Sequence, residues 1–216
     1  CRDDDGGSLR LQLHGVATAS VYTVVQRMRD VLDVDAPVTD IAAVLNADPL
    51  LRRLLRRHPG IRVPGAWNGF ELLVRAILGQ QVSVKAATTL AGRMAERYGA
   101  AIAVPPSLAR YGDALQLNRV FPPAGKLARA RFNNMGLTGA RGATIRRAAA
   151  AVVKGDISFD ASRNPDDFCA SLTALRGIGD WTAQYVAMRA LKHPDAYPAS
   201  DLGLIKALGA DVDPVD

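Results

Sequence analysis

The chain has 216 residues, of which 49% are hydrophobic, so it is long enough to bury the core of one large or two modest domains. Its formal net charge of +6 favours an anionic partner, although a basic composition does not by itself indicate nucleic-acid binding. With only Cys1 and Cys169, a disulfide framework and a cysteine-based metal site are excluded, and no metal or cofactor is expected. The sequence contains no apolar run of membrane-spanning length and no visible signal peptide, so we expect a cytoplasmic, nucleoid-associated protein.

The N-terminal segment predicts one strand and one helix. Leu9, Leu11 and Leu13 alternate with polar residues, which is the pattern of a half-buried strand. Because one strand is not stable alone, its partner strands are expected to lie upstream or to be missing from this sequence. Apolar residues then recur at helical spacing over residues 20–32.

Two short helices are predicted next. Pro37 ends the preceding pattern, Thr39 is predicted to cap the first helix, and Asp48 followed by Pro49 begins the second. The second helix carries four arginines beside its leucines: Arg52, Arg53, Arg56 and Arg57. These arginines either contact phosphates or form the solvated face of an amphipathic helix, and the pattern favours the solvated face.

An interrupted helix lies in the middle of the chain. Asn68 and Glu71 have the spacing of a capping box, and the apolar residues after them predict a buried helix. The pattern breaks at residues 79–81, and Ser83 can cap the helix that follows. The two glutamines at this break either form a solvated helix end or are exposed for contact with a partner.

The region that follows is predicted to contain turns and then two helices. Residues 100–123 are rich in proline, with a short helix near residues 107–115. Apolar periodicity predicts further helices near residues 124–134 and 140–154. The last of these carries four basic residues: Arg141, Arg146, Arg147 and Lys154. They either line a cleft or form a solvated face, and the pattern favours the solvated face.

Residues 164–191 predict two helices joined by a tight glycine turn. Asn164 followed by Pro165 suits a helix start, and the turn contains Gly177 and Gly179. Glycine permits a sharp turn and a close approach to another surface. The first amides of the second helix are unpaired within it, which suits a phosphate oxygen. The alternative is an ordinary helix–helix turn with a glycine C-cap.

This hairpin and a second segment together resemble a known family. The hairpin reads LRGIGDWTAQY over residues 175–185 and is followed by DAYPASD over residues 195–201. Upstream, VRAILGQQVSV occupies residues 74–84. In this order, the motifs resemble those of the helix-hairpin-helix DNA glycosylases, and among them the 3-methyladenine DNA glycosylase II branch.

The resemblance implies an active site. Asp201 matches the family's catalytic aspartate, which faces the sugar of the extruded nucleotide; it can also cap the helix after it. Asp195 is a rival carboxylate that does not match the motif. Trp181 and Tyr185 lie one helical turn apart and would form a pocket for a cationic alkylated base. The alternative is that both rings pack in the core.

The resemblance also implies how DNA is held. Amides of the hairpin would bind a backbone phosphate, and the loop after residue 79 would enter the minor groove. Gln81 would be the wedge that fills the space left by the extruded nucleotide. The six residues expected to contact DNA are Gln80, Gln81, Ser83, Gly177, Gly179 and Thr182.

The implied fold is mainly α: a helix-hairpin-helix DNA glycosylase fold with two helical subdomains flanking a cleft, and a remnant of an N-terminal α/β domain. Residues 1–36 would be that remnant, and residues 64–191 the central subdomain with the hairpin. Residues 37–63 and 192–216 would form the subdomain that carries the catalytic aspartate. An N-terminal sheet and a C-terminal helical segment are expected beyond the two ends of this chain.

The implied function is that of a monofunctional DNA glycosylase, acting as a monomer on double-stranded DNA with alkylated bases such as 3-methyladenine, in base excision repair. The alternative is a non-catalytic helix-hairpin-helix module that only docks on DNA, which would need neither Asp201 nor the aromatic pair. A glycosylase-lyase is rejected, because Trp181 stands where the lyase relatives carry a lysine nucleophile.

Overall fold

In the computed structural model, residues 2–3, 8–109, 118–160 and 164–209 are described. Within these ranges almost all regular structure is helical. The chain divides into two compact units, Cys1–Trp67 and Asn68–Asp216. The division of the chain into a remnant domain and two helical subdomains stays a prediction.

The first unit contains a two-stranded ribbon and three helices. Strand β1 pairs antiparallel with β2, with Asp3 opposite Leu9. The partner of the predicted strand therefore lies within the chain, and the strand itself is shorter than the leucine alternation suggested. The elements are β1 (Arg2–Asp3), β2 (Leu9–Arg10), α1 (Val21–Leu32), α2 (Val38–Leu45) and α3 (Pro49–Arg57).

The helix starts in this unit follow local chemistry, with one exception. Asp48 caps α3 as predicted, since its carboxylate accepts from the amides of Leu50 and Leu51 at 2.8 and 2.9 Å. The predicted cap at Thr39 is wrong. Helix α2 begins two residues earlier than this cap implies, at Val38, and Pro37 takes the N-cap position without a side-chain hydrogen bond. Thr39 therefore lies inside the first turn of the helix.

In its described residues, the second unit consists mainly of helices and of the segments that connect them. Its elements are α4 (Gly69–Gly79), α5 (Val84–Tyr98), α6 (Ala124–Leu127), α7 (Gly139–Lys154), α8 (Pro165–Thr173), α9 (Asp180–Ala190) and α10 (Leu202–Leu208). A 3₁₀ turn at Pro106–Leu108 occupies the start of the helix predicted near residues 107–115, whose remainder lies largely outside the described residues.

The helix predicted over residues 124–134 is wrong beyond Leu127, where α6 ends. The backbone carbonyls that should continue it are bound by side chains of α5 instead. Tyr98 donates to the carbonyl of Arg131. Arg97 likewise donates to the carbonyl of Asn133 at 2.6 Å. These long-range bonds hold residues 128–136 as turns.

Helix α4 forms the centre of the core of this unit. Leu73, Val74, Ile77 and Leu78 of α4 have no exposed surface. The helix packs against α5, α7 and α9. This core is the rigid platform on which α9 and its neighbouring loops are held.

Helix α9 meets the core through small side chains. Its buried residues are Thr182, Ala183, Val186 and Ala187. Small side chains allow the backbones of α9 and α4 to approach closely. The large residues of α9 therefore lie on another face, which turns away from the core.

Candidate active site around Asp201

Asp201 is fixed by both oxygens of its carboxylate. Oδ1 accepts from the amides of Gly203 and Leu204 at 2.8 and 3.1 Å, so the residue caps α10 as predicted. Oδ2 accepts from the indole Nε1 of Trp181 at 2.9 Å. A side chain at Gly203 would bring a Cβ to 2.9 Å from Oδ1, so only glycine leaves this cap undisturbed.

The same contacts set the charge of Asp201. The indole N–H of Trp181 is the main cause that lowers the pKa of the carboxyl group, and the two backbone amides add to it. Partial burial acts in the opposite direction and only partly offsets them. The group is therefore an anion at neutral pH, beside an aromatic surface.

The loop that leads to Asp201 is also held by α9. The amide of Tyr197 donates to Oε1 of Gln184 at 3.3 Å, and the amide of Asp201 donates to the carbonyl of Pro198 at 2.9 Å. Gln184 and Trp181 thus fix the loop at two points from one helix. Sequence analysis did not identify Gln184. The rival Asp195 lies earlier in the loop, where its amide donates to Nδ1 of His193 at 3.1 Å.

Trp181 and Tyr185 stack on each other, with ring centroids 5.1 Å apart and an angle of 8° between the planes. Both rings are half-buried, whereas the core face of α9 is made of small residues. Neither ring therefore lies on the buried face of α9, and their role as a base pocket stays a prediction.

Arg189 continues this row along α9. Its Nη1 donates to the hydroxyl of Tyr185 at 2.6 Å, and its guanidinium lies 5.5 Å from the centroid of the same ring. The three side chains are four residues apart, so they follow one line along the helix. Arg189 was not identified from the sequence, although its spacing from Tyr185 was visible there.

The glycine hairpin before α9 has the predicted geometry. Gly177 has φ +96°, and a Cβ there would lie 2.1 Å from the hydroxyl oxygen of Thr144. Gly179 takes the N-cap position in an extended conformation, with open space beside it. Within the part of the chain that the structure describes, the amides of Gly179, Asp180 and Trp181 have no protein acceptor. They form the open N-terminus of α9.

Helix α7 supports the hairpin from behind. Thr144 is 3% exposed, and its hydroxyl lies 3.2 Å from the carbonyl of Arg176. Nη2 of Arg147 donates to the same carbonyl at 2.7 Å. Nη2 of Arg141 donates to the carbonyl of Gln80. Each of these two half-buried arginines therefore donates to a backbone carbonyl within the protein, and whether they also line a cleft or are solvated stays a prediction.

The two other basic residues of α7 differ from these. Arg146 places its guanidinium 5.8 Å from the centroid of the Phe132 ring, while Lys154 is exposed as expected for a solvated residue. On α3, Nε of Arg52 donates to the carbonyl of Asn46 at 2.7 Å. The other arginines of α3 are exposed.

The loop between α4 and α5 brings together three of the predicted DNA contacts. Gln81 is exposed and has φ +54°, a left-handed conformation that costs a non-glycine residue roughly 1–2 kcal/mol. Ser83 caps α5, since its hydroxyl accepts from the amide of Ala86 at 3.2 Å. Gln80 is half-buried, and its side chain is bonded within the protein.

The amide of Thr182 donates to the carbonyl of Gly179 at 3.1 Å, and the residue is 2% exposed. Its amide is therefore not open to a phosphate, unlike those of the three preceding residues. Its hydroxyl oxygen faces Gln80, whose Nε2 lies 3.2 Å away. Gln80 and Thr182, both predicted to contact DNA, therefore contact each other in the structure.

The described residues contain no group of three or more His, Cys, Asp or Glu side chains placed to hold a metal ion. They also contain no helix with the length and apolar character needed to cross a lipid bilayer.

Comparison with known proteins gives matches to both units. Residues 1–68 match the family model described as the AlkA N-terminal domain. The chain is 40% identical over 184 residues to a protein of Mycobacterium tuberculosis named probable bifunctional transcriptional activator/DNA repair enzyme AlkA, covering 85% of this chain and 36% of that protein. It is 31% identical over 194 residues to the DNA-3-methyladenine glycosylase of Bacillus subtilis, covering 86% of this chain and 60% of that enzyme.

The fold matches as well. The structure of 3-methyladenine DNA-glycosylase from Archaeoglobus fulgidus aligns with a TM-score of 0.73 over 90% of this chain and 64% of that one, at 23% identity. This likeness confirms the mainly helical fold predicted from the sequence. The chain spans between about a third and three fifths of the length of the two curated relatives. In sequence the chain is thus similar to an AlkA-named DNA repair enzyme and to a DNA-3-methyladenine glycosylase, and it shares the fold of a solved 3-methyladenine DNA-glycosylase.

Proposed function

We propose that this chain forms the catalytic part of a monofunctional DNA glycosylase that removes alkylated bases such as 3-methyladenine. The observation that carries the proposal is the Asp201 carboxylate, held by the indole of Trp181 at the edge of a half-buried aromatic pair. The names of the curated relatives support it, since one is a DNA-3-methyladenine glycosylase and another a DNA repair enzyme.

The reaction needs an anion beside the sugar. An alkylated purine such as 3-methyladenine is already cationic, so it leaves without a strong general acid. As the glycosidic bond breaks, positive charge gathers on the sugar. A fixed carboxylate such as Asp201 stabilises that charge without reorganising, because its orientation is already set by Trp181 and two amides. Water then completes the hydrolysis.

The aromatic pair supplies the surface for the extruded base. A base that is flipped out of the duplex loses its stacking partners, and an aromatic ring replaces them. A cationic base gains further attraction from the ring face. The face of Tyr185 near Arg189 already carries a guanidinium, so we expect the base to approach from the side of Trp181 and Asp201.

The open N-terminus of α9 supplies the anchor for the DNA backbone. Three unpaired amides at Gly179, Asp180 and Trp181 suit a phosphate oxygen, and the helix dipole adds attraction. This kind of contact fixes position without reading sequence. Gln81, exposed at the tip of its loop, is the proposed wedge. The protein would act as a monomer, in the compartment that holds the chromosome.

A test of the function compares two matched substitutions, Asp201→Asn and Asp195→Asn. Both remove one negative charge from the same loop region, but only Asp201 is bonded to Trp181. Single-turnover release of 3-methyladenine from duplex DNA should fall about a hundred- to thousandfold in the first variant and stay at the parent rate in the second. Binding to abasic-site duplex should change little in either.

The Asp201→Asn variant needs a folding control. In this variant an amide NH₂ replaces one carboxylate oxygen. The three groups that donate to Asp201 are all N–H groups, so at least one of them loses its acceptor. That costs about 1–3 kcal/mol, and thermal unfolding must show that the variant is folded at the assay temperature. A folded Asp201→Asn protein that releases base at the parent rate would show that Asp201 is only a helix cap, and the proposed mechanism would fail. A parent protein that releases no base would refute the glycosylase proposal and favour the docking module.

A further inference from the structure

Gln80 links two parts of the proposed DNA-binding surface that are far apart in sequence. Its Nε2 lies 3.1 Å from the carbonyl oxygen of Gly177 and 3.2 Å from the hydroxyl oxygen of Thr182. The carbonyl of Gly177 belongs to the glycine hairpin, and the hydroxyl of Thr182 belongs to α9, the helix after it. The side chain therefore joins the loop between α4 and α5 to the phosphate anchor.

Helix α7 completes the same network from the opposite side. Arg141 donates to the backbone carbonyl of Gln80. Arg147 and Thr144 both contact the carbonyl of Arg176, which precedes Gly177. The loop and the hairpin are thus each bonded to α7 and are bonded to each other through Gln80. Three segments form one closed network of hydrogen bonds.

Gln81, the residue after Gln80, has a strained backbone. Gln81 has φ +54° and is exposed, so nothing in its own side chain explains the conformation. A non-glycine residue stays in the left-handed region only where its neighbours are held firmly. Gln80 on one side, bonded through both side chain and backbone, and the α5 cap Ser83 on the other supply that restraint.

We propose that Gln80 is a positioning residue that sets the place of Gln81 relative to the hairpin, and that it does so through its bonds to Gly177 and Thr182 rather than by contact with DNA. This inference rests on the proposed function. A wedge must enter the duplex at a fixed distance from the phosphate that the hairpin holds. Gln80 fixes that distance, because a shift of either element would break its bonds.

The test measures base opening, which needs no bond cleavage. The probe is a duplex with an uncleavable tetrahydrofuran abasic analogue and a neighbouring 2-aminopurine, whose fluorescence rises when the wedge unstacks it. The substitution Gln80→Met keeps the length of the side chain and removes both donors. We expect the opening equilibrium to fall about tenfold, the size expected for loss of two partly exposed hydrogen bonds.

Thr182 offers a matched pair that separates hydrogen bonding from packing. Thr182→Val keeps the volume of this buried side chain and removes the oxygen, whereas Thr182→Ser keeps the oxygen and removes a methyl group. If Gln80 acts as proposed, opening is weaker in the valine variant than in the serine variant. The reverse order would mean that packing alone matters, and the proposal would fail.

A double substitution tests whether Gln80 acts through Gln81. Once Gln81→Ala has removed the wedge, adding Gln80→Met should reduce opening no further. Two independent, multiplying losses would overturn the proposal. Because the probe cannot be cleaved, a protein that opens this duplex but releases no methylated base would contradict the proposed function and not the role of Gln80.

Discussion

The two glycines of the hairpin should respond very differently to the same substitution. Gly177 is constrained by its backbone and by a neighbour, since φ is +96° and a Cβ would meet the Thr144 hydroxyl oxygen at 2.1 Å. Gly179 has an ordinary φ of −96° and nothing within 4 Å of a built Cβ. Changing each glycine to alanine therefore separates the stability of the hairpin from its proposed contact with a phosphate.

The expected losses can be worked out for each site. Gly177→Ala adds roughly 1–2 kcal/mol of backbone strain and displaces Thr144 from the carbonyl of Arg176, for a total of about 2–3 kcal/mol. That should lower the melting temperature by roughly 5–10 °C in a unit of this size. Gly179→Ala loses only the difference between glycine and alanine at an N-cap, about 1 kcal/mol or less.

For DNA binding, in contrast to stability, the larger effect is expected from Gly179→Ala. A methyl group at residue 179 would stand in the open space before the three unpaired amides, where a phosphate oxygen must approach. Loss of that charge-assisted contact should cost about 2 kcal/mol, or roughly thirtyfold in Kd. The assay is fluorescence anisotropy at one fixed salt concentration, with damaged and undamaged duplex, beside thermal unfolding of the same samples.

A third glycine supplies the control. Gly125 lies in the first turn of α6, also with nothing within 4 Å of a built Cβ, so Gly125→Ala should change neither melting nor binding by much. If Gly179→Ala binds both duplexes as tightly as the parent, the amides at the start of α9 do not hold a phosphate. If it weakens binding to damaged duplex alone, the hairpin is not an anchor for the backbone.

Four further outcomes follow from the site. Trp181→Phe keeps a ring that can stack on Tyr185 but removes the indole N–H, so the rate of base release should fall about tenfold, and an unchanged rate would show that this hydrogen bond does not orient Asp201 for the reaction. The pKa of Asp201 is lowered on folding, so the contribution of this carboxylate to stability is present above the ordinary carboxyl pKa and is lost as pH falls. The free energy of unfolding, measured with denaturant, should therefore fall less for Asp201→Asn than for the parent between about pH 5 and pH 2. Gln81→Ala should reduce excision from duplex more than from single strands, and equal losses would argue against a wedge. Borohydride trapping on abasic DNA should give no covalent adduct, because Trp181 stands where the lyase relatives carry lysine, and a robust adduct would reverse that assignment.

Local chemistry made much of the fold predictable from the sequence. Asp48, Asn68, Ser83, Asn164 and Asp201 were each expected to start a helix, and each accepts a hydrogen bond from the first turn of one. A capping side chain bonds to an amide within three residues of itself, so its role can be predicted from a short segment of sequence. The turn at Gly177 was predictable for the same reason.

Interactions between distant segments were not predictable. Nothing near Leu127 signals that the next carbonyls will be taken by Tyr98 and Arg97. The bond from Gln80 to Gly177 spans 97 residues, and its donor was expected to meet DNA. The prediction that Asp201 is a site residue came from a motif, whereas its hydrogen bond to Trp181 was visible only in the folded chain.

The two faces of α9 have consequences for how such a site can change over evolution. The inner face is buried against the core, so larger side chains there would have to displace their neighbours; it consists of Thr182, Ala183, Val186 and Ala187. The outer row at residues 181, 185 and 189 meets no such limit. Substitutions there can alter the shape and charge of the proposed base pocket while the helix stays in place. A lineage could therefore acquire a new base preference through a few outer positions of one helix, with the scaffold unchanged.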